Sequence, residues 1–316
     1  MKSKISLIIP IYYNQDNIEP LYRDIVEKLY CHEDLDWEIV MVNDGSADNS
    51  YEIIKRIAAE DSRIKAISLS RNFGSHAAIL CGLAECTGDC AVIKAADLQE
   101  PTELVIDMIA SWRQGNNVVL AEREGREESR RQTLFAGFYY WLVRKAALPT
   151  MPKNGFDVYL IDRKVITVLT NLEETNSALT GQILWSGFKT GRVKYVRKAR
   201  EIGTSKWTLK KKIRLVTDTL FSFSNLPITM VVFVGTISIL VAAVWSLVVV
   251  YNKLTGSIPI DGFTTMLIVQ LFSFGIIMMT LGILGEYLWR TFDASRGRPP
   301  YIIEDRYDAS KDKEQK

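Results

Sequence analysis

Two long apolar segments in the last third of the chain, at residues 228–251 and 263–288, constrain its fold more than any other feature. An α-helix rises about 1.5 Å per residue, so about 20 residues cross the hydrocarbon core of a bilayer, and both segments exceed that length. Glu286 is the only charged residue in either of them. The sequence therefore predicts a soluble part, residues 1–207, followed by two transmembrane helices.

Basic residues predict the orientation of these helices. Residues 197–214 contain eight lysines and arginines and a single glutamate, whereas the loop between the apolar segments carries only Lys253 and Asp261. By the positive-inside rule, the soluble part and the C-terminal tail, residues 289–316, both lie in the cytoplasm. The first apolar run, residues 5–13, is short and contains Pro10, so we expect no signal peptide. Residues 208–225 place apolar side chains along one side after a lysine cluster, which predicts an interfacial amphipathic helix.

The soluble part alternates between strand and helix patterns. Short apolar runs at residues 5–9, 37–42, 64–69, 90–93 and 118–121 predict strands. Helical patterns lie between the first and second, the third and fourth, and the fourth and fifth of them. Parallel strands need such crossover connections. The fold class is therefore α/β, with a Rossmann-like and mainly parallel sheet. Because the chain has only two histidines, we expect neither a histidine-rich metal centre nor a catalytic triad.

Polar side chains follow two of the predicted strands directly. Asp97 and Gln99 stand after the strand at 90–93, and Asp44 and Gly45 follow the strand at 37–42. Ligands of α/β proteins bind at the carboxyl ends of parallel strands, so these residues are expected at one site. Carboxylate and amide oxygens suit a hard cation, and Asp44 can accept hydrogen bonds from a base or a ribose. An Asp-Gly-Ser turn also occurs as a purely structural helix cap.

Several motifs in this order resemble the membrane-anchored polyprenyl-phosphate glycosyltransferases of glycosyltransferase family two. They are ISLIIPIYYN, VNDGSADNS, LSRNFGSHAAILCGL, AADLQEP, GFDVYLIDR, REIGTSK, GILGEYLWR and RPPYII, and they extend over nearly the whole chain. The resemblance implies a GT-A catalytic domain, two C-terminal transmembrane helices and a bacterial inner-membrane location. It also implies a homo-oligomer, with a tetramer as the favoured form, and no nucleic-acid partner is expected.

The implied reaction is inverting transfer of one sugar, glucose from UDP-glucose being favoured, to undecaprenyl phosphate or a related polyprenyl phosphate. Mg²⁺ or Mn²⁺ would bridge the donor diphosphate, with Asp97 and Gln99 as the metal ligands. GDP-mannose, UDP-GlcNAc and aminosugar donors are the alternatives within the same reaction. The implied donor-binding residues are Pro10, Tyr12, Asn14, Asp44, Ser70, Arg71, Asn72, Ala96, Arg123 and Arg126.

The acceptor side is expected at two places. Asp157 matches the family position proposed as a catalytic base or acceptor-site acid, and Asp97 is the second catalytic candidate, whereas Asp162 is expected to cap a helix. A lipid phosphate is already anionic, so attack requires positioning more than deprotonation. The acceptor phosphate is expected to bind Arg200, Ser205 and Lys206.

The chain departs from the family at two positions. Ala95 stands where an earlier aspartate is usual, and Asn43 stands where an acid often precedes Asp44. Because of Ala95, a non-catalytic membrane subunit that binds a nucleotide sugar remains an alternative interpretation of the chain. A processive polysaccharide synthase is disfavoured, because Gln182-Ile-Leu-Trp185 lacks the arginine of the Gln-x-x-Arg-Trp motif and two spans make a poor export channel.

Overall fold

A computed structural model describes residues 2–124, 137, 141–145, 147–153, 155–172, 174, 177–197, 218–219, 221–224, 226–255 and 262–309. Its centre is an eight-stranded sheet with the strand order β7-β5-β6-β4-β1-β2-β3-β8. The strands are β1 (Ser3–Ile11), β2 (Leu35–Asn43), β3 (Ile64–Leu69), β4 (Cys90–Ile93), β5 (Val118–Arg123), β6 (Tyr159–Asp162), β7 (Thr190–Tyr195) and β8 (Ile303–Asp308).

The prediction of a mainly parallel sheet is confirmed. Strand β1 pairs in parallel with β2 and β4, β2 pairs in parallel with β3, and β5 does so with β7. Strand β6 is antiparallel to both β4 and β5, and β8 is antiparallel to β3. Because β6 reverses direction between two strands that point the same way, the carboxyl ends of β1 to β5 and β7 share one edge with the amino end of β6.

Helices connect most of the parallel strands, as the alternating pattern predicts. They are α1 (Gln15–Leu29), α2 (Ser50–Glu60), α3 (Ser75–Glu85), α4 (Leu104–Arg113), α5 (Arg163–Thr170) and α6 (Leu179–Trp185). Asp162 caps α5 as expected, since its side chain accepts a hydrogen bond from the amide of Lys164 at 3.0 Å. The same carboxylate accepts a 2.8 Å bond from the indole of Trp112, which fixes α4 against the sheet.

Both faces of the sheet are buried, which explains the continuous apolar character of the central strands. Along β1, Ile5, Leu7 and Ile9 enter one hydrophobic cluster, and Ile8 enters the cluster on the opposite face. This division follows from the two-residue alternation of side chains along a strand. The rigid sheet then holds the loops at its carboxyl edge in fixed positions.

Two long apolar helices, α7 (Leu226–Leu254) and α8 (Phe263–Ser295), follow the sheet domain. Both contain the predicted spans, and α8 continues beyond residue 288 to Ser295. Within the described residues, the segments Leu226–Trp245 and Phe272–Ser295 have mean hydropathies of 2.4 and 1.4, and their side chains are not buried within the chain. By length and composition, both helices can cross a membrane. The predicted interfacial helix at 208–225 lies largely outside the described residues, of which 218–219 and 221–223 are helical.

The segment 289–316, predicted as a cytosolic C-terminal tail, contains both helical and strand residues. Its first residues belong to α8, and residues Ile303–Asp308 form β8, which pairs with β3 at the edge of the sheet. Residues 310–316 lie outside the described part of the chain.

Candidate active site

The sheet topology gathers most of the predicted site residues at one edge. Pro10, Asp44, Ser70 and Asp97 lie at or just after the carboxyl ends of β1 to β4, and Arg123 ends β5. Asp157 reaches the same edge from the other direction, because it directly precedes the antiparallel β6. The predicted convergence of strand-end residues is therefore present in the fold.

Asp44 is nearly fully buried and holds the loop at residues 70–74, which we call the donor loop. Its two carboxylate oxygens accept hydrogen bonds from the amides of Phe73 at 2.8 Å and Gly74 at 3.0 Å. Its own amide donates to the carbonyl of Ile11 at 2.8 Å. Charge-assisted bonds of this kind are stronger than neutral ones. Asp44 therefore organises the donor loop at the start of α3, a role that the sequence did not indicate.

Gly45 allows the donor loop to approach the end of β2 closely. Its φ is +63°, in the left-handed region, and a Cβ atom there would lie 2.3 Å from the carbonyl carbon of Arg71 and 2.6 Å from the amide nitrogen of Asn72. Only glycine fits both requirements without a shift of the backbone. Ser70, Arg71 and Asn72, three predicted donor-binding residues, are exposed on this loop.

Asn43, the first departure from the family pattern, has a structural role. Its amide nitrogen donates to the hydroxyl of Ser68 at 3.1 Å, and its carbonyl oxygen accepts from the amide of Ser46 at 3.2 Å. A carboxylate cannot donate to Ser68, so the amide suits this buried position. Asn43 thereby ties the ends of β2 and β3 together beneath the site.

Tyr12 and Asn14 lie directly after β1, as predicted. The ring of Tyr12 contacts that of Tyr13 edge to face, with centroids 4.7 Å apart, and the side-chain amide of Asn14 donates to the carbonyl of Tyr12 at 3.2 Å. Tyr13 has a φ of +53°. The backbone amide of Tyr13 donates to the hydroxyl of Ser46 at 3.0 Å, so this turn lies next to the residues that follow β2. Stacking on a base is a common use of such aromatic rings.

Asp97, Gln99 and Glu100 form the turn after β4. The side chain of Asp97 is 12% exposed, and its Oδ1 accepts a 3.4 Å hydrogen bond from the amide of Gln99. Ala96 is buried, and the ammonium of Lys94 is buried below the turn, where it donates to the carbonyl of Glu100 at 2.7 Å. Lys94 thereby closes the turn from 94 to 100 and fixes the position of the predicted metal ligands.

The carboxyl of Glu100 was not predicted as a site residue. Burial raises its pKa, nearby Asp97 raises it further, and Arg197 opposes the rise. One of its oxygens, Oε2, is buried and has no hydrogen-bond partner among the described residues. A partly exposed carboxylate, an amide and an unsatisfied carboxylate oxygen are hard ligands of the type that Mg²⁺ and Mn²⁺ prefer. The residues present therefore fit the predicted cation, although the described residues contain no cluster of three acidic, histidine or cysteine side chains.

Arg123 and Asp157, predicted separately for the donor and for catalysis, form an ion pair. Arg123 is largely buried at 17% exposure, and its Nε donates to the hydroxyl of Tyr195 at 3.3 Å, whereas Asp157 is 64% exposed. Tyr195 ends β7, so residues from β5, β7 and the start of β6 meet here. A largely buried arginine thus holds an accessible carboxylate in position.

Arg197 is a further site residue that the sequence analysis missed. Its guanidinium lies 3.9 Å from the carboxylate of Asp97 and 3.6 Å from that of Glu100. In the sequence, Arg197 was counted only among the basic residues that flank the membrane. Arg197 lies two residues after β7, which ends at the same sheet edge as β1 to β5, here called the active edge. This position is the signal that would have identified it.

Four predicted residues cannot be placed. Arg126 and the proposed acceptor-phosphate residues Arg200, Ser205 and Lys206 lie outside the described part of the chain.

A polar cluster connects α8 with the segment that precedes α7. Arg290 is paired with Asp218 at 2.8 Å and with Glu286 at 2.9 Å, and it donates to the hydroxyl of Ser222 at 3.2 Å. A cavity of about 540 Å³ lies at the beginning of α7, lined by Trp185, Phe221, Ser222, Phe223, Ser224, Leu226 and Thr229. Its lining joins the catalytic domain to the first apolar helix.

Comparisons with known proteins agree with this architecture. The family model described as glycosyl transferase family 2 matches residues 6–158. The chain is 34% identical over 305 residues to the uncharacterized glycosyltransferase YkcC of Bacillus subtilis (strain 168), covering 96% of this chain and 94% of that protein. It is 31% identical over 304 residues to the bactoprenol glucosyl transferase of Shigella phage SfX, covering 96% and 99%.

A solved structure of glucosyl-3-phosphoglycerate synthase from Mycobacterium tuberculosis, in complex with Mn²⁺ and UDP-glucose, aligns with a TM-score of 0.47 and 18% identity. The alignment covers 68% of this chain and 76% of the other. The two relatives described above, in contrast, are more than 30% identical over nearly the whole length of both partners. The chain therefore belongs to glycosyl transferase family 2 and is a glycosyltransferase.

Proposed function

We propose that this glycosyltransferase transfers a single glucose from UDP-glucose to a polyprenyl phosphate, with inversion, at the cytoplasmic face of a bacterial inner membrane. The observation that carries the proposal is the meeting of Asp97, the donor loop and the Arg123–Asp157 pair at one sheet edge. Two helices able to cross a membrane follow that site, which suits a lipid acceptor. The name of the phage relative, a bactoprenol glucosyl transferase, supports the same acceptor and sugar.

The donor is proposed to bind between the ends of β1 to β4. The nucleoside would contact the Tyr12 turn and the donor loop, which Asp44 holds in place. Asp97 and Gln99 would hold Mg²⁺ or Mn²⁺, and such a cation neutralises charge that develops on the leaving diphosphate. Arg197, beside Asp97, would add a positive charge to the same region.

On the acceptor side, Asp157 would orient the attacking phosphate or receive a proton. The ion pair with Arg123 keeps the carboxylate of Asp157 in place, and the exposure of Asp157 leaves room for a substrate. Because a phosphate monoester is already anionic at neutral pH, correct placement contributes more than proton removal. Arg200, Ser205 and Lys206 are proposed to bind the same phosphate, and the cavity at the start of α7 is proposed to hold the first isoprene units.

The decisive experiment combines the purified, detergent-solubilised protein with undecaprenyl phosphate, Mg²⁺ or Mn²⁺, and a panel of nucleotide sugars. We expect a lipid-linked hexose by mass spectrometry with UDP-glucose and only trace product without a divalent cation. Equal or greater turnover with GDP-mannose, UDP-GlcNAc or an aminosugar donor would correct the sugar and keep the reaction class. Failure of every donor to give a lipid-linked product would refute the polyprenyl phosphate acceptor.

Two variants test the residue roles within this reaction. Asp97→Ala should remove metal-dependent turnover and weaken Mn²⁺ binding measured by calorimetry, whereas Asp107→Ala, which changes an exposed aspartate on α4, should alter neither. Retained Mn²⁺ affinity in Asp97→Ala would refute its assignment as a ligand. Lys206→Ala should raise the KM for the lipid and leave UDP affinity unchanged, and a selective loss of UDP affinity would contradict its acceptor role.

A further inference from the structure

The strand β8 reaches the donor side of the site from the far end of the chain. It follows α8 after a short connection, residues 296–302, and pairs antiparallel with β3 from Lys65 with Asp308 to Leu69 with Ile303. Because it runs antiparallel, its first residues lie at the edge where β3 ends. The segment after the second apolar helix therefore borders the donor loop.

A direct hydrogen bond joins the two. The amide of Ser70, the first residue of the donor loop, donates to the carbonyl of Ile302 at 3.0 Å. The pairing of β3 with β8 shifts register between Ser68 and Leu69, and the bond from Ser70 lies beyond this irregularity. The donor loop is thus held from two sides, at Ser70 by β8 and at Phe73 and Gly74 by Asp44.

Side chains fix β8 in this position. Ile303 packs against the hydrophobic cluster on one face of the sheet, and Tyr301 does the same. Arg306 pairs with Glu85 on α3 at 2.7 Å, and Asp305 pairs with Lys55 on α2 at 3.3 Å. Two helices and the core therefore set the position of β8, which in turn supports the loop.

We propose that β8 is a positioning element for the nucleotide donor, so that the affinity for UDP depends on the docking of β8 against β3. The inference rests on the proposed function, because it takes the donor loop to contact the nucleotide. Since β8 continues from α8, the second apolar helix and the donor loop are joined through a short stretch of chain. Residues of β8, which are far from the donor loop in the sequence, then affect the binding of the nucleotide.

The test compares two substitutions at adjacent positions of the full-length protein. Ile303→Asp places a carboxylate where the side chain packs on the core, whereas Glu304→Ala changes the adjacent side chain of β8, which is exposed. Loss of the support at Ser70 should weaken UDP binding about tenfold in Ile303→Asp, as one lost hydrogen bond corresponds to that factor. Glu304→Ala and the conservative Ile303→Val should bind UDP like the unaltered protein.

Steady-state kinetics separate positioning from general damage. In Ile303→Asp, the KM for the donor should rise while kcat at saturating donor and the KM for the lipid stay near their original values. A parallel fall in kcat and in folded fraction, with unchanged affinity for UDP in the remaining folded protein, would refute the proposal.

A second pair of variants keeps the proposal testable if Ile303→Asp does not fold. Arg306→Glu sets two like charges against each other at Glu85, and the double variant Arg306→Glu with Glu85→Arg restores an ion pair of reversed sign. We expect weaker UDP binding in the single variant and recovery in the double variant. Arg56→Glu is the matched control, because Arg56 is equally exposed at 58% and pairs with Glu19 on α1.

The outcomes distinguish the two levels of inference. If the unaltered protein fails to bind UDP or any other nucleoside diphosphate, the donor site itself is refuted and the role of β8 with it. If the unaltered protein binds UDP and the Ile303→Asp and Arg306→Glu variants bind it equally well, only the role of β8 is refuted.

Discussion

Replacing Gly45 by alanine tests how closely the donor loop approaches the end of β2. The nearest atoms to a Cβ there belong to the backbone of Arg71 and Asn72, at 2.3 and 2.6 Å, and backbone atoms cannot rotate away as a flexible side chain can. The donor loop must therefore shift to admit the methyl group. Because Phe73 and Gly74 are bonded to Asp44, the shift also strains those two hydrogen bonds.

Two costs contribute to the expected loss of stability. Gly45 has a φ of +63°, and the left-handed conformation costs an L-residue about 1–2 kcal/mol. Forcing a methyl group into a closely packed site adds about 1–3 kcal/mol. We therefore expect Gly45→Ala to lower the free energy of unfolding by about 2–5 kcal/mol and to weaken UDP binding.

Gly187→Ala is the matched control, because it isolates the backbone cost. Gly187 has a φ of +71°, and the nearest atom to its Cβ would be the carbonyl oxygen of Trp185 at 3.9 Å, which is ordinary contact. Only the conformational cost of about 1–2 kcal/mol should remain, with UDP affinity unchanged. Guanidinium unfolding in detergent and calorimetry with UDP measure both quantities. Equal losses in the two variants, with UDP affinity intact, would refute the argument from close approach.

Three further predictions concern other parts of the chain. Burial alone would raise the pKa of Glu38, but hydrogen bonds from Lys65, Ser6 and Thr87 hold it at about 2, below the ordinary 4.5. Its charge therefore stabilises the fold by about 3 kcal/mol above pH 4.5, and this contribution is lost as the pH falls toward 2. Glu38→Gln should therefore reduce the pH dependence of the unfolding midpoint over that range. Arg123→Gln removes the partner of Asp157 and should lower kcat by up to about 100-fold, whereas Tyr195→Phe, which keeps Arg123, should cost less; equal kcat values in Arg123→Gln and the unaltered protein would contradict the positioning role. Gly181→Ala places a methyl group 2.3 Å from the ring of Phe223, so the ring must move into the cavity at the start of α7, and the KM for the lipid acceptor should rise without a change in UDP affinity.

Residues at the ends of strands were the part of the site most accessible to sequence reasoning. A buried parallel strand is visible as an apolar run, and the polar residue that ends it marks the active edge, which is why Asp44 and Asp97 were identified. The function of Asp44 within the site was not accessible in the same way. Whether a carboxylate faces a ligand or a neighbouring loop depends on where another part of the chain passes, and here the donor loop supplies two amides.

Arg197 and Glu100 were missed because tertiary contacts alone give them their importance. Arg197 belongs to a run of basic residues, and the positive-inside rule accounts for the whole run without separating one member from the others. Glu100 follows the motif residues and has no pattern of its own, yet burial beside Asp97 makes it part of the site. Only Arg197 had a further signal, its position two residues after the end of β7.

Strand β8 shows how a charged segment can form the edge of a sheet. Strand β8 pairs on one side only, so several of its side chains remain in solvent and the segment reads as charged and aperiodic. Edge strands of native sheets carry such charges because an apolar edge would pair with other molecules. Glu304, Asp305 and Arg306 are exposed, while Ile303 and Tyr307 pack inward. The charged composition of residues 304–306 is therefore what a strand covering the edge of β3 requires.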